Sequence, residues 1–239
     1  IGPGKGVLTK RLLNTHAEHI HAVEIDKYLI PGLLRKFSVN RNFSLTEGDI
    51  LSVPLDIKDA PLVNKVVANI PYNITSPLLE RLLGRLAKPV DRTFNSLVLL
   101  MQREVADRII AKPGNSSYGA LSVRTQLLAK CSEVCIVAPS CFTPSPRVFS
   151  KVIHLKPYLK NERFPQDIES KIDILLKVAF MSRRKKLRNT LVNICSLNLL
   201  EDIATDIGIT LDLRPQDLSI TKWVDLAQNI KFNDPSIRI

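Results

Sequence analysis

The hexapeptide Ile1-Gly2-Pro3-Gly4-Lys5-Gly6 and the later stretch Ala22-Val23-Glu24-Ile25-Asp26 decide the fold of this chain. Three glycines at alternate positions allow a tight bend whose bare backbone can lie against a ligand at the start of the next helix. A bend of this kind between strand and helix is often only a turn. Glu24, however, ends an apolar run about 20 residues further on, and Asp49, in the stretch Glu47-Gly48-Asp49-Ile50-Leu51, ends the next one. Open parallel sheets bind ligands at the carboxyl ends of their strands. A carboxylate at the first position can accept two ribose hydroxyls, and one at the second can accept an adenine amino group.

Outward from this bend, short apolar runs alternate with helix-like segments through the first two-thirds of the chain, the pattern of βα units and a mainly parallel sheet. Strands are expected over 20–25, 43–47, 65–70, 97–101, 134–138 and 152–155, and helices over 7–14, 28–38, 77–86 and 105–111. Thr75 or Ser76 is placed to cap a helix entering through Pro77. Beyond the stretch KPYLKNERFPQ (156–166) the period changes. Ile172, Leu175, Leu176, Ala179 and Phe180 form a helical stripe, and segments near 197–206 and 220–231 also read as helices, punctuated by Gly208 and Pro215. The expected organisation is an α/β domain over 1–158 and a small helical domain over 159–239. Because a glycine bend of this type follows a strand, the sequence reads as opening inside a βα unit, with a first strand outside it.

The 239 residues carry 34 Lys and Arg against 23 Asp and Glu, a formal net charge of +11. That excess favours a polyanionic partner, because lysine and arginine beside phosphates release condensed counterions. The longest apolar stretch, SLVLLM at 96–101, is far shorter than the roughly 20 residues needed to cross a bilayer. Cys131, Cys135, Cys141 and Cys195 form no CxxC pair and have no histidine at ligand spacing, so scattered thiols in a reducing compartment are expected rather than a metal site.

The bend, the glutamate and the aspartate together resemble the Rossmann-like methyltransferases that use S-adenosylmethionine, although a nicotinamide enzyme would also show an acid after its second strand. The next element separates the two. VVANIPYNITSPLL (66–79) sets Asn69-Ile70-Pro71-Tyr72 at a strand end, which resembles the (D/N/S)-P-P-(Y/F) motif of enzymes that methylate exocyclic amines. The form found here is similar to that of the ribosomal RNA adenine dimethyltransferases. An adenine amino nitrogen is a poor nucleophile because its lone pair is delocalised into the ring. Acceptors for its hydrogens, here the Asn69 side-chain oxygen and the Ile70 carbonyl, would turn that lone pair toward the methyl carbon. Pro71 would stiffen the turn and Tyr72 would offer a flat face to an extruded base.

SCFTPSPRVFSKV (140–152) resembles the FxPxPxVxS segment of the same family, which implies Phe142 as the second wall around the base. MQREVADRI (101–109) and SSYGALSV (116–123) are also similar to it, the latter favouring the small-subunit enzymes over the large-subunit resistance enzymes. The resemblance implies a Rossmann-like sheet lacking its first strand, followed by a helical domain. It implies S-adenosyl-L-methionine held by Gly2, Gly4, Gly6, Glu24, Asp49 and Asn69, with no metal. The implied activity is dimethylation of two adjacent adenines near the 3′ end of small-subunit ribosomal RNA. Alternatives are an adenine methyltransferase of large-subunit RNA and a transcription-factor-like relative that binds nucleic acid. Arg183, Arg184, Lys185, Lys186 and Arg188 match the family's FxxRRKxLRN stretch and are expected on RNA phosphates. The expected partner is the preribosomal small subunit and the expected state a monomer without membrane attachment. A bacterial cytoplasm is the expected compartment, with a plastid or mitochondrion second. The family supplies further cofactor contacts ahead of the bend, so the 239-residue form is expected to bind cofactor poorly.

Overall fold

Leu97, Leu99 and Met101 alternate along one strand and are wholly buried, as expected of a strand covered by helices. The computed structural model describes residues 1–56, 61–90 and 94–232. In chain order the elements are α1 (Val7–Leu13), β1 (Ile20–Glu24), α2 (Ile30–Phe37), β2 (Phe43–Glu47), β3 (Lys65–Asn69), α3 (Thr75–Leu83), β4 (Ser96–Gln102) and α4 (Arg103–Ile110). They continue with α5 (Ala120–Leu128), β5 (Ala129–Val137), β6 (Ser150–Pro157), α6 (Gln166–Phe180), α7 (Leu187–Leu191), α8 (Leu197–Asp206) and α9 (Ile220–Asn229).

β1 and β2 pair in parallel with Glu24 opposite Glu47. A second sheet runs β3-β4-β6-β5, with β3 and β4 parallel and β6 antiparallel to β4. The α/β arrangement expected from the sequence is therefore present, but as two sheets, the second of them mixed. Ile1 and Gly2 enter between them: the Ile1 amine donates to the Val67 carbonyl at 3.3 Å and the Gly2 amide to the Val23 carbonyl at 2.9 Å.

The chain groups into two compact units. The first takes the described parts of 1–82, 92–103 and 133–157 and holds the two sheets. The second takes the described parts of 83–91, 104–132 and 158–239, so it draws in α5 and most of α4 as well as the C-terminal helices. A chain boundary near 158 therefore captures only part of that unit. Long-range bonds explain why: the buried Tyr118 hydroxyl donates to the Leu218 carbonyl at 2.9 Å, and the Gly114 amide donates to the Gln216 carbonyl at 2.8 Å. The stripe read on α6 is its core face, with Ile172, Leu175, Leu176 and Ala179 inaccessible to solvent. The Phe180 ring lies 6.0 Å from that of the buried Trp223. Glu169, buried on the same helix, is matched by the Arg163 guanidinium, whose Nε donates to it at 2.9 Å. A carboxylate so buried would be strongly destabilising without its partner.

Four elements depart from the sequence expectation. α3 begins at Thr75, after a tight turn over Tyr72–Ile74, and stops at Leu83 because Gly84 adopts a φ of +78. A side chain at Gly84 would also meet the Val90 amide nitrogen at 2.8 Å. β5 and β6 extend beyond their apolar centres, since ladder bonds recruit residues such as Lys130 and Lys156 that dilute the sequence pattern. α5 shows no periodic stripe because its Ser122, Val123, Thr125, Leu127 and Leu128 are all buried, which leaves little polar face to read.

Candidate active site

Gly2 and Gly4 both adopt φ +57, and a Cβ on either would meet nothing within 4 Å. Their backbone is thus bent into the left-handed region with open space beside it, as a ligand cradle requires. Gly6 differs. It is the buried N-terminal flank of α1 at φ +83, and a Cβ there would lie 2.5 Å from the Phe37 ring. Its bareness lets α1 seat against α2, so of the three glycines only Gly2 and Gly4 present free backbone.

Glu24 ends β1 and is buried, with one carboxylate oxygen accepting from the Gly4 amide at 2.9 Å and the other from the Asp26 amide at 3.0 Å. Each oxygen carries a second lone pair, so acceptor capacity remains for hydroxyl donors. The Gly48 amide donates to the Glu24 carbonyl at 2.8 Å, which sets Asp49 beside the glutamate. Asp49 closes a tight turn by accepting from the Leu51 amide at 2.8 Å. Arg81 of α3, which the sequence reading passed over, donates through its two terminal nitrogens to the Leu51 and Val53 carbonyls and so fastens this turn from below. No sequence signal links residues 28 and 30 positions apart in this way.

Asn69 is exposed at the end of β3, and its side chain makes no hydrogen bond among the described residues. The Ile70 amide continues the ladder by donating to the Leu100 carbonyl at 2.9 Å, while among the described residues no backbone amide reaches the Ile70 carbonyl. The Asn69 side-chain amide is therefore an open acceptor at the strand end, while Ile70 beside it is buried. Pro71 holds ψ at 131, and the chain then turns through Tyr72, which is half-buried. The Tyr72 hydroxyl and the Ser150 hydroxyl share a hydrogen bond of 2.9 Å. Phe142 is half-buried and follows a turn at Pro139–Cys141.

A cleft of about 1120 Å³ has Gly2, Gly4, Asn69, Leu29 and Ile50 in its wall, with Thr143, the neighbour of Phe142, also reaching it. Glu24, Asp49, Tyr72 and Phe142 are not among the residues that line it; Val23, Ile50 and Thr143, their chain neighbours, bring Glu24, Asp49 and Phe142 near it. The cleft continues along the facing edges of β1 and β3, past His21, whose imidazole is held below its ordinary value by burial and by the neighbouring His19. No group of three or more His, Cys, Asp or Glu among the described residues is arranged to hold a metal ion, and no described helix is long and apolar enough to cross a membrane.

In the second unit Arg183–Lys186 lie in the turn between α6 and α7, and Arg188 lies in the first turn of α7. The cations of this basic run are not equivalent. Arg183 donates to the Ser116 carbonyl, and Lys186 and Arg188 both approach Asp212, at 3.2 and 3.1 Å. Arg184 and Lys185 are exposed and make no ion pair among the described residues.

A glycine cradle at the mouth of a parallel sheet, carboxylates at the next two strand ends and an open amide acceptor at a third are the elements of a Rossmann-like methyltransferase that takes S-adenosylmethionine. The structural neighbours agree with that class. A dimethyladenosine transferase from Plasmodium falciparum superposes with a TM-score of 0.74 at 25% identity, over 94% of this chain and 86% of that one. The 23S rRNA methyltransferase ErmE shares the fold with a TM-score of 0.75 at 21% identity, over 95% and 88%. The family model for ribosomal RNA adenine dimethylase matches residues 1–231, and the chain belongs to that family. Among its relatives, the ribosomal RNA small subunit methyltransferase A of Synechococcus sp. (strain CC9902) is 54% identical over 96% of this chain and 84% of that protein. That of Prochlorococcus marinus (strain MIT 9211) is 53% identical over 98% and 83%. The chain is thus a methyltransferase, and its cofactor is S-adenosyl-L-methionine. The unobstructed bend at Gly2 and Gly4 and the adjoining buried carboxylate suit that ligand.

Proposed function

We propose that this enzyme transfers methyl groups to the N6 amines of two adjacent adenines near the 3′ end of small-subunit ribosomal RNA, two to each. The observation that carries the reading is the Asn69-Ile70-Pro71-Tyr72 turn, which places the unpaired Asn69 side-chain amide in the wall of the cleft beside the glycine cradle. The choice of the small subunit is supported by the relatives named for that RNA.

When bound, S-adenosylmethionine supplies a methyl carbon on a sulfonium, a reactive donor that needs no covalent help from the protein. Glu24 would hold the ribose hydroxyls with its remaining lone pairs, and Asp49 would accept from the adenine amino group of the cofactor. The Asn69 Oδ1 and the Ile70 carbonyl accept the two hydrogens of the target amine, which turns the nitrogen lone pair toward the methyl. Tyr72 and Phe142 flank the extruded base. Most of the rate gain then comes from positioning and from acceptors already in place. The proton lost from nitrogen leaves to solvent, so no strong general base is required.

The helical part beyond residue 158 contributes phosphate contacts. Arg184 and Lys185 carry most of this role, because Asp212 already offsets Lys186 and Arg188. The protein works as a monomer on the preribosomal small subunit, in a bacterial-type cytoplasm.

The experiment is labelled methyl transfer to immature small subunits, to naked large-subunit RNA and to duplex DNA in parallel. The expected outcome is incorporation into the first substrate, at two neighbouring adenines. Preferential incorporation into either of the others would overturn the substrate assignment.

A further inference from the structure

Ser150 opens β6 opposite Gln102, the last residue of β4, and is completely buried. A hydroxyl at zero exposure needs a hydrogen-bond partner, and the one it has is the phenol of Tyr72, 78 residues earlier in the chain. The position of Ser150 is held on both sides of this contact. The antiparallel register with β4 fixes its backbone, and the Arg103 amide extends that ladder by donating to the Phe149 carbonyl at 3.0 Å. Lys151, also buried, is tied to Glu133. Tyr72, by contrast, lies in a short turn beyond the end of β3 and is only half-buried. The bond therefore ties a turn residue to a buried strand residue across the sheet. It also joins the Asn69–Tyr72 turn to the strand that follows the loop carrying Phe142.

We propose that Ser150 is a positioning residue for methyl transfer: its buried hydroxyl anchors the Tyr72 phenol and thereby holds in place the ring against which the target adenine stacks. The inference rests on the reading of Tyr72 as a stacking residue. A ring anchored at its para position can still turn about its own Cβ–Cγ axis, on which the phenol oxygen lies, but it cannot swing out of the turn without breaking the bond. Losing the anchor spreads the base over poses in which the amine no longer meets Asn69 and the Ile70 carbonyl together. The effect belongs on the bound complex and so on kcat, since cofactor contacts lie elsewhere.

The test uses Ser150→Ala, Tyr72→Phe, the double variant and Tyr72→Ala in the intact protein, with immature small subunits as substrate. Ser150→Ala and Tyr72→Phe should each lower kcat roughly fivefold, the magnitude of one neutral hydrogen bond. The double variant should be no slower than either single variant, KM for S-adenosylmethionine should be unchanged, and Tyr72→Ala should be slower than all three. With 2-aminopurine in place of the target adenine, the fluorescence of the bound base should be less quenched in Ser150→Ala than in the parent. Two results would overturn the anchoring role alone: Tyr72→Ala impaired while Ser150→Ala turns over normally, or multiplicative losses in the double variant. Normal turnover in Tyr72→Ala would remove the stacking role and the anchor with it.

Discussion

The two sides of the cleft are built by different means. On the β1–β2 side, the groups assigned to the cofactor are positioned by backbone: Glu24 is held by the Gly4 and Asp26 amides and Asp49 by the Leu51 amide. On the β3–β6 side, the groups assigned to the base depend on strand register and on a side-chain bond between residues far apart in sequence. A backbone-held carboxylate tolerates change around it as long as the local turn survives. A register-held aromatic depends on the whole sheet.

That contrast can be broken most severely at Asn69. Replacing it by alanine removes one of the two acceptors for the amine and should lower methyl transfer to immature small subunits by about 10²–10³-fold, the range seen when one preorganised polar group is deleted. Binding of the small subunit should persist, and a filter-binding assay alongside the transfer assay checks both. Turnover retained by Asn69→Ala would remove the mechanism assigned to this side.

On the opposite side, Glu24→Ala should weaken S-adenosylmethionine binding by roughly 10–100-fold, as expected for hydrogen bonds to a charged acceptor. Calorimetry measures the loss. At saturating cofactor the transfer rate should largely recover, unlike that of Asn69→Ala. A kcat defect in Glu24→Ala that saturation cannot relieve would show that the two sides are less separate than their construction suggests.

The glycine bend gives a sharper comparison within a single turn. Gly6→Ala places a Cβ 2.5 Å from the Phe37 ring at a positive φ and should cost about 1–3 kcal/mol, lowering the melting temperature by several degrees. Gly2→Ala meets open space and should cost only the backbone term of about 1 kcal/mol. Thermal unfolding should therefore separate them, with cofactor affinity falling more in Gly2→Ala. Equal melting temperatures would contradict the packing role given to Gly6.

The smallest effects are expected in the basic turn. Removing Arg184 and Lys185 together should flatten the salt dependence of RNA binding by roughly one to two units of log–log slope. Removing Lys186, which shares Asp212 with Arg188, should change it by less. Titrations of affinity against salt for the two variants test that ranking, and a larger change for Lys186 would reverse it.

Much of the site was legible because its chemistry is local in sequence. A glycine bend, an acid closing each of two successive strands and the tetrapeptide at 69–72 each need only a few neighbouring residues, so their meaning survives without coordinates. The strands were found at their apolar centres for the same reason, while their ends were misjudged because ladder bonds, not side-chain pattern, extend them. α5 went unread because a helix buried on several sides has no polar face to mark its period. The basic run was visible as charge, but its division into paired and unpaired cations was not, since Asp212 lies more than 20 residues away.

By itself the sequence determined the chemistry: which carboxylates, amide and aromatics are available, in what order, and at which strand ends they fall. Tertiary structure alone decided which glycines face open space, which turn Arg81 fastens, how helices from two parts of the chain share one unit, and that Tyr72 reaches Ser150. The physical reason is that propensity and periodicity act over a few residues. Hydrogen bonds and close packing between distant segments depend on strand register and on the direction in which each side chain points, and these are settled only when the whole core is assembled.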